Sequence, residues 1–173
     1  MKVIGQFSGN VLTKLWDWVR SQNLDNCVRS RYAPQRLERW YGFGSNLQSL
    51  KNGRAKIFPA ERPSNPIIQL GDELYPGWHS LLVCGGKTDI GWHFDHGHFT
   101  KEAVMVNLGE SIYSECSAFN GYKPIEWTEH KITDGMVVEI DIKRLHCAQQ
   151  ISATRFNLTW RKFKPEYLEQ LQF

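Results

Sequence analysis

Three histidines and an aspartate stand within nine residues of this chain, in "GWHFDHGHF", residues 91–99. Imidazoles and a carboxylate together are ligands for a transition metal, and geometry decides which of them share one ion. On an extended segment successive side chains point to opposite faces. His93 and Asp95 then face one way, and Trp92, Phe94 and His96 the other. His-x-Asp is thus a two-ligand pair, and His96 is not its third member. A binuclear hydrolase would need His-x-His-x-Asp-His, and the order here is wrong. The third ligand has to come from a distant strand, and His146 in "RLHCAQ" is placed to supply it. Two histidines and one carboxylate form a facial triad that leaves positions open for oxygen and a co-substrate. A carboxylate on offer and no thiolate beside it favour iron over structural zinc.

A second constellation lies nine residues past His146. In "RFNLTWR", residues 155–161, alternation puts Arg155, Asn157, Thr159 and Arg161 on one face and Phe156, Leu158 and Trp160 on the other. Two guanidiniums, an amide and a hydroxyl on the inner side of a strand suit a small dicarboxylate, because arginine offers a forked pair of donors that lysine cannot match. A buried guanidinium with no anion is costly, so an anionic ligand is its natural partner.

Elements that could position these groups follow from periodicity. "SGNVLTKLWDWVRSQ" spaces Val11, Leu12, Leu15, Trp16 and Val19 as a helix, with Ser8 or Asn10 as its cap. Trp16 and Trp18 read as packing residues of that helix. "LERWYGFGS" reads as a strand running into a glycine turn, residues 51–66 as a long surface loop, and "IIQLGDEL" as a short helix. From about residue 79, eight short apolar stretches recur at near-regular spacing, divided by Gly, Asp and Asn. The expected fold is mainly β: a double-stranded β-helix, or jelly roll, with the N-terminal helix packed outside. Residues 1–173 are expected to form one domain, with the helix and a substrate lid in about 1–78 and the jelly-roll core in 79–163.

Composition sets the outer limits. A chain of 173 residues buries roughly 70% of its unfolded surface, enough for a core without staples. No apolar run approaches the ~20 residues that span a membrane, and "MKVIGQFSGN" has no signal-peptide core, so a cytoplasmic location is expected. Cys27, Cys84, Cys116 and Cys147 are scattered and fit reduced thiols, with Cys147 pointing away from any metal that His146 holds. Residues 1–62 carry 11 Lys/Arg against 4 Asp/Glu, while the remainder is mildly acidic. A basic first third suggests an anionic partner, although a solvated charged face is the commoner cause.

Together these pieces resemble the iron(II)- and 2-oxoglutarate-dependent dioxygenases, and within them the AlkB-like branch. "HFD" at 93–95, His146 and "RFNLTWR" match the branch's His-x-Asp, distal His and Arg-x-Asn-Leu-Thr-x-Arg signatures. "AVMVNLGES", "DGMVVEIDIKRLHCA" and "PQRLERWYGFG" are similar to flanking segments of that branch, so the resemblance covers roughly residues 34–163. It implies that His93, Asp95 and His146 bind Fe(II), with no catalytic residue beyond the iron site. It implies that Arg155 pairs with the distal carboxylate of 2-oxoglutarate, and that Asn157 and Arg161 sit near its other end or brace the iron aspartate. The implied chemistry consumes O2, decarboxylates 2-oxoglutarate to succinate and hydroxylates a substrate C–H bond. On an N-methyl group, formaldehyde is then lost.

The sequence departs from that pattern in two places. Leu82 and Cys84 stand where many relatives carry Asn and Tyr against 2-oxoglutarate, so two polar groups are either missing or supplied from another strand. His96, Gly97 and His98 follow the iron aspartate where DNA-repair members are acidic. For the substrate two classes stand. Arg36, Arg39, Trp40 and Tyr41, with Arg54 and Lys56 nearby, suit a phosphate backbone and a stacked, flipped base. The alternative is a hydroxylase of a protein side chain or small metabolite, with Trp40 and Phe43 merely packing the barrel.

Overall fold

The computed structural model describes residues 1–25, 32–46 and 56–169. Its elements run β1 (Lys2–Gln6), α1 (Gly9–Ser21), β2 (Arg36–Asn46), β3 (Lys56–Pro59), α2 (Asn65–Leu74), β4 (Ser80–Gly86), β5 (Ile90–His93), β6 (Phe99–Leu108) and β7 (Ser111–Asn120). They continue with β8 (Lys123–Ile132), β9 (Met136–Asp141), β10 (His146–Gln150), β11 (Phe156–Phe163) and a short α3 (Pro165–Leu168). Every one of the eight apolar stretches is a strand, from β4 to β11. They divide between two antiparallel sheets, a seven-stranded one in the order β1-β9-β6-β11-β4-β2-β3 and a four-stranded one in the order β5-β10-β7-β8. Apart from the β7–β8 hairpin, the chain crosses to the other sheet at each step from β4 to β11. That is the jelly roll, and it puts β10 and β11 in opposite sheets.

Strand parity builds two cores. On β6, Val104, Val106 and Leu108 turn outward with Leu158 and Trp160 of β11 and Leu81 and Val83 of β4, and Leu15, Val19 and Ile67 of the two helices cover them. Ala103, Met105, Val138, Ile140 and Phe163 turn inward to meet Tyr113 and Ile132 from the smaller sheet. Burying each such aliphatic or aromatic side chain stabilises the fold by roughly 1.5–3 kcal/mol. Helix α2 lies close on the larger sheet because its residue 71 is glycine. A Cβ there would stand 2.5 Å from the indole nitrogens of both Trp160 and Trp78. Trp16 meets Phe156 edge-on at 5.8 Å and Trp18 packs on Tyr41 at 5.7 Å, so both serve helix packing.

One strand was not foreseen, and two local expectations need correction. β1 pairs with β9 where no strand was expected, and as a largely exposed edge strand it lacks a clear apolar alternation. Residues 51–66 were expected to be loop, yet Lys56–Pro59 pairs with β2; a proline is tolerated there because β3 is the sheet edge. Ser8 occupies the cap position of α1 in extended backbone, but its hydroxyl makes no capping bond. Among the described residues no helix is long and apolar enough to cross a membrane.

Candidate metal centre

β5 ends at His93, and β10 begins at His146 directly across from it in the smaller sheet. Asp95 is tethered by its backbone N–H, which donates to the Ile142 carbonyl at 3.2 Å. One carboxylate oxygen of Asp95 then lies 3.4 Å from His93 Nε2 and 3.7 Å from His146 Nε2. The three ligand atoms fall within 4.8 Å of one another. Ligands on a single ion at about 2.1 Å stand roughly 3 to 3.5 Å apart, so the arrangement fits one metal with little movement. Both imidazoles are oriented for it: each Nδ1 sits 2.8 Å from a backbone carbonyl, Gly91 for His93 and Arg144 for His146. With Nδ1–H donating there, each Nε2 keeps its lone pair for the ion.

Burial works to raise the Asp95 carboxyl, but Arg161, His93 and His146 outweigh it and hold the group well below the usual carboxylate range. Burial, reinforced by His93, pushes His146 down to about 4, so it is a neutral imidazole near pH 7. Arg161 reaches from the facing sheet and donates from Nε and NH2 to Asp95 Oδ2, both at 2.8 Å. The arginine therefore braces Asp95 from behind, while its NH1 is buried with no partner among the described residues. His96 is not part of this set. Its Nδ1 pairs with Ser45 Oγ at 2.9 Å, and burial lowers it to about 4.

Arg155, immediately before β11, is 1% exposed and has neutral partners: its Nε donates to Asn107 Oδ1 at 2.7 Å and its NH1 to Thr88 Oγ1 at 2.9 Å. Burial first, and the nearby charge of Arg36, push this guanidinium down to about 10. A buried cation whose hydrogen bonds, among the described residues, go to an amide and a hydroxyl has the chemistry of an anion site. Asn157 lies between the two arginines on the same strand, paired in register with Cys84 on one side and Asn107 on the other.

The four residues expected at the substrate surface do not share a face. Trp40 packs against the inner cluster with its Nε1 buried and unpartnered, and Arg36 also turns inward beside Glu38. Tyr41 is 2% exposed in the outer core and donates its hydroxyl to Gln22, while Arg39 donates to Glu61 at 2.5 Å. A ring sealed under α1 cannot stack on an extruded base. Arg54 lies outside the described residues, as does Cys27; Cys84, Cys116 and Cys147 are free thiols.

A set of rings that the sequence did not single out lies beside the His93–Asp95–His146 cluster. Tyr32 leans on His93 at 5.9 Å and stacks with Tyr122 at 6.4 Å, and Phe94 meets Phe119 at 5.4 Å and Tyr122 at 5.6 Å. Phe119 and Tyr122, at the β7–β8 hairpin tip, are 45% and 57% exposed, so aromatic surface runs from solvent to His93. The signal for it was two aromatic residues flanking an Asn-Gly turn.

No family model matches the chain. No curated protein matches it either. Solved structures do. OsALKBH1 is 14% identical, with 88% of this chain aligned to 91% of that one at a TM-score of 0.53. An oxidoreductase of the 2OG-Fe(II) oxygenase family from Burkholderia pseudomallei is 13% identical, with 90% of this chain aligned to 78% of that one at a TM-score of 0.54. The chain has the fold of the AlkB-like 2OG-Fe(II) oxygenases.

Proposed function

We propose that this protein is an iron(II)- and 2-oxoglutarate-dependent dioxygenase that hydroxylates or oxidatively demethylates a nucleic-acid base. The observation that carries the reading is the pairing of a His93–Asp95–His146 cluster with a buried arginine whose hydrogen bonds, among the described residues, go to an amide and a hydroxyl, both inside one jelly roll. His93, Asp95 and His146 would hold the iron, and Arg155 the distal carboxylate of 2-oxoglutarate. Bound iron supplies O2 activation coupled to decarboxylation of 2-oxoglutarate to succinate. Arg161 keeps Asp95 ionised and fixed, with Asn157 near the oxo-acid end. The inner cluster around Met105, Tyr113, Val138 and Ile140 keeps bulk water from the centre. Free thiols are compatible with a cytoplasmic setting.

A base as substrate is supported by the exposed rings around His93, since stacking on aromatic side chains is how single-stranded bases are held. The alternative, a protein or small-metabolite hydroxylase, is favoured by the outward placement of Arg39 and Tyr41, which removes half of the basic–aromatic segment from the site. Succinate formation across methylated oligonucleotides, tRNA and amino acids decides between them. Oligonucleotide affinity at two salt concentrations adds a second arm, because phosphate contacts weaken steeply with salt. Phe119→Ala and Tyr122→Ala should each weaken oligonucleotide binding by about 1–3 kcal/mol. Absence of binding at low salt in the wild type would move the substrate to the protein or metabolite class.

A further inference from the structure

Leu82 and Cys84 leave the inner face of β4 without the polar groups that the resemblance expects against the co-substrate, and β2 lies directly beside them. Trp40 is in register with Leu82, Glu38 with Cys84 and Arg36 with Gly86. On the other side of β4, Cys84 is in register with Asn157. Arg36, two residues from Glu38, and Arg155, two residues from Asn157, therefore both lie towards the Gly86 end of β4. Arg36 NH2 donates to Glu38 Oε2 at 3.0 Å, which fixes the group, but its Nε is buried with no partner. Cys84 lies close enough to both arginines, and the arginines to each other, for their charges to interact.

A buried guanidinium hydrogen-bonded to an amide and a hydroxyl, and near it a second with a buried donor left idle beside its Glu38 pair, suit a shared anion. We infer that Arg36, held by Glu38, is a co-substrate-binding residue that closes on the distal carboxylate of 2-oxoglutarate opposite Arg155, supplying from β2 the polar donors that Leu82 and Cys84 do not offer. This rests on the proposed dioxygenase reading and deepens it. It also moves Arg36 from a role on a phosphate backbone to one inside the barrel.

The test is calorimetric titration of the iron(II)-loaded protein under argon with 2-oxoglutarate and, separately, with 2-oxobutyrate, which lacks the distal carboxylate. Arg36→Met should weaken 2-oxoglutarate binding about ten- to a hundredfold, the scale of a hydrogen bond to a charged group. Iron(II) affinity and 2-oxobutyrate binding should not change, and Arg36→Lys should recover part of the loss. Unchanged 2-oxoglutarate affinity, or an equal loss with both acids, would overturn the assignment. Where stranded Glu38 prevents Arg36→Met from folding, the double variant Arg36→Gln/Glu38→Gln keeps a neutral hydrogen bond and decides by the same two titrations. Failure of the wild type to bind 2-oxoglutarate with iron present would instead sink the parent reading.

Discussion

Two stretches of the larger sheet carry a pair of arginines each, and spacing gives the pairs opposite fates. Arg155 and Arg161 are six residues apart, an even step, and both enter the barrel: one binds Asp95, the other waits among neutral partners. Arg36 and Arg39 are three apart, an odd step, and β2 sends one inward to Glu38 and the other outward to Glu61. A cluster of basic residues along a strand is thus two half-clusters on two surfaces. What matters for a site is parity, and it turns Arg36, Arg155 and Arg161 to the inner face while Arg39 faces out.

The heaviest break in that pocket is Asp95→Ala. It removes a proposed metal ligand and also strands Arg161, whose only anion among the described residues is that carboxylate. Leaving one member of a buried ion pair alone costs about 3–5 kcal/mol. Asp95→Ala should therefore lose iron(II) binding and also destabilise the metal-free protein well beyond His146→Ala, which removes a ligand but no partner of Arg161. Urea unfolding of the two metal-free variants compares them directly; equal midpoints would mean that Arg161 gains nothing from Asp95. His93→Ala should lose the metal as well, whereas His96→Ala, with its ring turned to Ser45, should keep most iron-dependent turnover.

Next in size is Arg155→Met, which should weaken 2-oxoglutarate binding by orders of magnitude while iron(II) still binds. A calorimetric titration with unchanged affinity would detach Arg155 from the co-substrate. This arginine shows how far the sequence could be read. Its inward face followed from counting residues in "RFNLTWR", and the same counting excluded His96 as a ligand. Applied to "RLERWY", it would have separated Arg36 and Trp40 from Arg39 and Tyr41; grouping the four by proximity along the chain hid the split. Other features were not legible from one strand at a time. That Arg36 and Arg155 lie towards the same end of β4 depends on which strands neighbour it, and the aromatic surface at Phe119 and Tyr122 depends on where a hairpin tip lands.

The inner face of β11 ends at Phe163, and there His98 gives a smaller, pH-dependent test. His98 is buried between Phe99, Phe163 and Tyr167, and burial, with His96 adding to it, lowers it to about 3. In the unfolded chain a histidine titrates near 6.5. As pH falls from about 6.5 towards 3, the unfolded state gains a proton that the folded state refuses, so stability is full above this window and declines through it. His98→Phe should flatten that part of the stability–pH curve. A curve identical to the wild type's would show that His98 takes up its proton in the folded state.

The smallest effects should come from the outward half of β2, and their smallness is what gives the comparison its content. Arg39 meets a carboxylate that is 68% exposed, and exposed ion pairs contribute about 0–1 kcal/mol. Tyr41→Phe removes one hydrogen bond to Gln22, worth about 1 kcal/mol. Neither change reaches the barrel interior, because β4 and β2 present their other face to it. Arg39→Ala and Tyr41→Phe should therefore lower the unfolding midpoint slightly and leave iron(II) and 2-oxoglutarate affinities at the wild-type values, where Arg36→Met on the same strand does not. A measurable loss of co-substrate affinity in Arg39→Ala would mean that β2 transmits between its faces, and parity alone would no longer separate the two arginines.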